Sequence, residues 1–141
     1  VINITHTSIG IPAGVLADRV GKERVLALGY GVFFASSLMG AYMHGSFAYA
    51  YTLAAVYGLY LGITETVQRA VIPRYCPSHL RGTAYGVFNI LIGGCLLVAN
   101  LVFGALWESI GAQAAFNYSA VTSFTAVVAM LIFSLQMRKG Q

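Results

Sequence analysis

Residues 14–26 read Gly14-Val15-Leu16-Ala17-Asp18-Arg19-Val20-Gly21-Lys22-Glu23-Arg24-Val25-Leu26, and this stretch concentrates charge in a chain that otherwise has little. Before it, Val1 to Ala17 holds no Asp, Glu, Lys or Arg; after it, Val25 to Thr64 holds none either. A brief charged reversal between two long apolar runs is what two helices meeting at a membrane surface require. Composition says the same. Apolar residues make up 58% of the chain and charged residues 9%, whereas a soluble domain carries roughly 25% charged residues. Mean hydropathy is +0.76. So few charges cannot cover a water-soluble surface.

Crossing a hydrocarbon core of about 30 Å takes about 20 helical residues. Cutting the chain at charges and turn residues yields five spans: 1–17, 25–43, 48–72, 83–107 and 112–136. Pro73 is expected to end the third, because it supplies no N–H and disfavours helix at the residue before it. The fold class is therefore an all-α polytopic membrane protein. Val1 to Ala17 has no basic flank of the kind that opens a signal peptide. The chain also opens on Val1, and we read it as a fragment beginning inside a longer protein.

The connections alternate in charge. Arg19, Lys22 and Arg24 lie in the first, Arg74 and Arg81 in the third, and Arg138 and Lys139 in the tail, whereas His44–Phe47 and Glu108–Gly111 hold no Lys or Arg. The positive-inside rule then expects the basic connections and the C-terminus in the cytoplasm. Phe47, Tyr49, Tyr51 and Trp107 fit an aromatic belt at the other surface. The same placement accounts for the net charge of +4 without a nucleic-acid partner, since the cations sit at span ends rather than along one polar face. Gly10 and Gly14, Gly58 and Gly62, and Gly82 and Gly86 have small-xxx-small spacing and are expected to let helices pack closely.

With the charged stretch placed between two spans, Gly14, Leu16, Asp18, Arg19, Gly21 and Lys22 resemble the signature loop of the major facilitator superfamily. Glu23 departs from that pattern, standing where the family usually has a second basic residue, and Arg24 follows it. Glu65, Arg69, Ala70, Pro77, Arg81, Gly82, Thr83 and Gly86 resemble the tenth helix, the next loop and the start of the eleventh helix of bacterial members. The fourth span has Gly93 and Gly94 but lacks the proline common in the fifth helix of the family. The resemblance thus implies helices eight to twelve of a twelve-helix bundle, the C-terminal half of a secondary transporter working by alternating access. It further implies a small-molecule substrate, a partner N-terminal half outside this chain, and a bacterial cytoplasmic membrane as the location. A non-transporting sensor or scaffold on the same fold is the first alternative, and a membrane-embedded enzyme the second.

Site residues follow from depth and spacing. In the loop, glycines permit close packing and a tight reversal, Asp18 can cap a neighbouring helix N-terminus, and the basic residues Arg19, Lys22 and Arg24 can bind helix-end carbonyls or acidic partners. Glu65 lies about 12 Å before Pro73, and Arg69 one turn later on the same side, so the two can pair. With Arg81 they are expected to brace the inner gate, a substrate or proton site being the alternative. His6 lies about 18 Å from Asp18, near mid-membrane, where it can meet substrate or proton, or hydrogen-bond a neighbouring helix. Tyr57, Thr64 and Gln68 on the third span, and Asn89, Gly93 and Asn100 on the fourth, form polar stripes that can line a cavity or bond between helices. No catalytic constellation, metal site or cofactor motif is expected, because the four acidic residues are dispersed and Cys76 and Cys95 have no ligand spacing.

Overall fold

A computed structural model describes residues 1–42 and 46–139, with the side chains of 74, 75 and 137–139 excluded. The chain forms five long helices: α1 (Ile2–Val20), α2 (Lys22–Ala41), α3 (Phe47–Tyr75), α4 (Arg81–Ser109) and α5 (Ala112–Lys139), with a 3₁₀ turn at Ser78–Leu80 before α4. Four segments are long and apolar enough to cross a membrane: Lys22–Ala41, Phe47–Pro73, Ser78–Ser109 and Ala112–Gln136. The segment 1–17 is helical but falls outside these four, because Asn3, Thr5, His6, Thr7 and Ser8 interrupt its apolar character. Met43, His44 and Gly45, at the end of the expected second span and in the connection after it, lie outside the described residues, as do Gly140 and Gln141.

The helices overrun the expected spans into the connections. α2 starts at Lys22 rather than Val25, and α3 continues through Pro73 to Tyr75. Proline costs a helix the bond from its own nitrogen to the carbonyl four residues back. Here that carbonyl belongs to Arg69, and it accepts a hydrogen bond of 2.9 Å from the Tyr85 hydroxyl of α4. The last turn thus survives because a side chain supplies the missing donor.

α1 packs along α3, and α2 is clamped between α3 and α5. Gly58 and Gly62 of α3 permit the first contact: a methyl group at Gly62 would collide with Ile9 and lie 2.7 Å from the His6 carbonyl. At the α2–α3 seam, Gly29 faces Thr64 and Ile63, and the rings of Phe33 and Tyr60 stack with centroids 4.5 Å apart. Gly40 seats against the Phe116 ring where α2 meets α5. Ala17, Val25, Leu26 and Val67 form a buried cluster beneath the α1–α2 turn. By contrast, α4 has no buried residue and leans mainly on α5. Gly82 and Gly86 have nothing within 4 Å of where a side chain would start. The helix contact expected of that pair is therefore absent among the described residues, since its face of α4 is turned away from the other four helices.

Candidate functional site

Only Gly21 separates α1 from α2. Its φ of 108° and ψ of 134° lie where a side chain is strongly disfavoured. Its N–H donates to the Ala17 carbonyl at 3.1 Å and its carbonyl accepts from the Val25 N–H at 3.2 Å, so hydrogen bonding continues across the reversal. Lys22 then reaches across to α3, its Nζ donating to the Ala70 carbonyl at 2.7 Å. A cation on the carbonyls at the C-terminal end of a helix is electrostatically favourable. The two side chains that grip adjacent α3 carbonyls, Lys22 and Tyr85, come from different elements and tie the basic ends of α2, α3 and α4 together.

The remaining loop residues point elsewhere. A methyl group added at Gly14 would lie 3.6 Å from the Thr66 methyl group, in ordinary contact. Leu16, Asp18, Arg19 and Arg24 are exposed, and among the described residues Asp18 caps no helix. It stands instead in the last turn of α1, the end at which the helix dipole disfavours an anion.

Glu65 has two basic side chains within 4 Å. Arg69 Nη2 lies 3.8 Å from Glu65 Oε2 along α3, as the four-residue spacing requires. His6 Nε2 of α1 lies 3.6 Å from the same oxygen. Sequence reasoning placed His6 and Glu65 separately and missed this contact. The matched glycine pairs of α1 and α3 carry the signal for it, because Gly62 packs on the His6 backbone one turn from Glu65. Counted to its observed end at Tyr75, α3 carries Glu65 about 15 Å from that end, deeper than a helix stopping at Pro73 allows. Arg81, at the start of α4 and exposed, forms no ion pair with Glu65 among the described residues; the following turn contributes Tyr85 instead.

The two polar stripes divide. Tyr57 and Asn100 both line a groove of about 690 Å³ between α2, α3, α4 and α5, whose aromatic wall includes Phe33, Tyr60, Phe103 and Phe116. Ser36, Ser37, Tyr118, Ser119 and Thr122 add polarity, and among the described residues no charged side chain lines it. Thr64 is not part of it: its hydroxyl bonds to the Tyr60 carbonyl at 2.8 Å, its methyl packs on Gly29, and it is 3% exposed. Any further packing can only cover it more, so Thr64 is corrected from a cavity residue to a seam residue. Gln68 donates to the Tyr30 hydroxyl at 3.0 Å and lines a second groove, nearer the basic end, between α2, α3 and α4. Asn89 is exposed on α4 and contributes to neither groove, and no atom lies within 4 Å of a side chain built at Gly93. Among the described residues no cluster of His, Cys, Asp or Glu of metal-binding size occurs.

A bundle of long apolar helices with Lys and Arg in alternate connections defines an integral, polytopic α-helical membrane protein. The sequence matches the Major Facilitator Superfamily over residues 4–140, and the chain belongs to that family. It is 31% identical over 129 residues to an uncharacterized MFS-type transporter of Methanocaldococcus jannaschii, an alignment covering 92% of this chain and 32% of that protein. With an uncharacterized MFS-type transporter of Mycobacterium tuberculosis it shares 32% identity over 99 residues, 70% of this chain and 17% of that protein. The chain thus spans about a third or less of the length of these relatives. No solved structure matches it closely enough to count as similar.

Proposed function

We propose that the full-length protein carries a small solute across the membrane by alternating access, this chain providing helices eight to twelve of its C-terminal half. In this reading the basic connections face the cytoplasm of a bacterial cell, and an N-terminal half outside this chain completes the substrate path. The supporting observation is the asymmetry of the α1–α2 turn. Lys22 is bonded to α3, whereas Asp18 stands exposed at an unfavourable helix end. A helix N-terminus of the other half, presented to Asp18 in one state of the cycle only, would relieve that charge and latch the state. Glu65, with His6 and Arg69, braces the same gate, while Tyr57 and Asn100 face the solute path. Transport rather than an enzymatic reaction accords with the MFS-type transporters it is similar to.

Asp18→Asn in the full-length protein tests this. Transport measured in vesicles over a panel of radiolabelled solutes should fall by about tenfold at unchanged abundance, the factor set by roughly 1 kcal/mol of state-specific helix-dipole interaction or slightly more. Unchanged transport per molecule would remove the latch.

A further inference from the structure

A third groove, of about 840 Å³, runs between α2 and α5 on the side of α2 away from α3. Its walls include Leu28, Gly31 and Ala35 of α2 and Leu131 of α5, and they are apolar along nearly their whole length. Among the described residues, polar side chains enter only at the basic end, with Arg24 on α2 and Ser134 on α5, and no Asp or Glu lines the groove. Glu23 and Asp18 are neighbours in sequence but lie on other faces, and Lys22 is engaged with the Ala70 carbonyl. Arg24 is exposed and forms no ion pair or hydrogen bond among the described residues. From Arg24 to Ala35 the helix rises about 16 Å, close to the depth of one leaflet of a hydrocarbon core about 30 Å thick.

A trough one leaflet deep, apolar inside and bounded at the membrane surface, among the described residues, by the Arg24 guanidinium, matches one ligand chemistry available in a bilayer. We propose that this groove binds an anionic phospholipid, one acyl chain lying between α2 and α5 and the phosphate on Arg24. Guanidinium binds phosphate oxygens through paired N–H donors, which a zwitterionic headgroup satisfies less well because its own ammonium offsets the charge. The groove is hollow because Gly31 has nothing within 4 Å of where a side chain would start. Occupation would hold α2 against α5 from the lipid side. The inference rests on membrane insertion alone and is independent of transport.

The test uses the full-length protein in phosphatidylcholine vesicles containing one-quarter phosphatidylglycerol, with a trace of phosphatidylglycerol bearing a diazirine in its acyl chain. After illumination, adducts are mapped by peptide mass spectrometry. Adducts should concentrate on residues 27–35 and 127–135, and unlabelled phosphatidylglycerol should compete them away. Arg24→Gln should lower labelling there by about fivefold, the effect of one basic residue at an anionic surface, and Arg24→Lys should retain most of it. Gly31→Leu fills open space, so it should abolish labelling while leaving the thermal unfolding of the protein unchanged. Equal labelling by a phosphatidylcholine probe, indifference to Arg24→Gln, or no adducts in these segments because another helix of the protein occupies the groove would each overturn the proposal.

Discussion

At the scale of single residues, Pro73 and Gly21 decide how the basic end is built. Pro73 leaves the Arg69 carbonyl without a donor, and the Tyr85 hydroxyl fills the place at 2.9 Å. Tyr85→Phe should therefore destabilise the last turn of α3 by about 0.5–1 kcal/mol, the net worth of one solvent-exposed hydrogen bond. It should do so only while Pro73 is present: Pro73→Ala restores the missing N–H, and in that background Tyr85→Phe should have little effect. Hydrogen exchange over residues 69–75, compared among the four forms, checks the coupling. Gly21 carries the other constraint, at φ 108°. Gly21→Ala should cost about 1–3 kcal/mol and lower the thermal midpoint of the purified protein, whereas Gly31→Ala, with open space around it, should not.

Among elements, the α1–α3 pair explains why Glu65 is approached by two basic side chains from different directions. The glycines of α3 let α1 come close enough for His6 to reach Glu65 at 3.6 Å, while Arg69 approaches along the helix at 3.8 Å. Such an arrangement is unequal under substitution. Arg69→Gln leaves Glu65 a partner in His6, but Glu65→Gln removes both contacts and leaves Arg69 alone near the membrane. We expect Glu65→Gln to lower transport by about five- to tenfold and Arg69→Gln by about twofold, given the modest worth of half-exposed pairs. The double variant should recover part of the Glu65→Gln loss. Transport per molecule in all four forms is the measurement, and equal losses in the two single variants would contradict the shared role of His6.

For the molecule as a whole, the distribution of Lys and Arg predicts orientation. Arg19, Lys22, Arg24 and Arg81 gather at one end of the bundle, and Glu108 lies in the last turn of α4, where no basic residue occurs. A C-terminal tag on the full-length protein should be protected from an impermeant label in intact cells and become reactive once the membrane is opened. Labelling in intact cells would invert the topology and place the Asp18 turn outside.

Helix number, the charged reversal and the Glu65–Arg69 pair were legible in the sequence because each rests on local rules: apolar length, charge at span ends, and the 3.6-residue repeat. Spacing along one helix also put Tyr57 and Thr64 on a common stripe. What the sequence alone could not supply is which helices touch. Hydropathy reports that a segment prefers lipid or protein to water, and it is silent on the choice between the two. Packing therefore decided that Thr64 is closed in by Gly29 while Tyr57 opens to a groove, that His6 joins Glu65, that Arg81 stays apart, and that among the described residues nothing lies within 4 Å of where a side chain would start at Gly82 and Gly86. Pro73 shows the same division at one atom. Its missing N–H is written in the sequence, but the hydroxyl that replaces it comes from another helix, and only the tertiary arrangement brings Tyr85 to the Arg69 carbonyl.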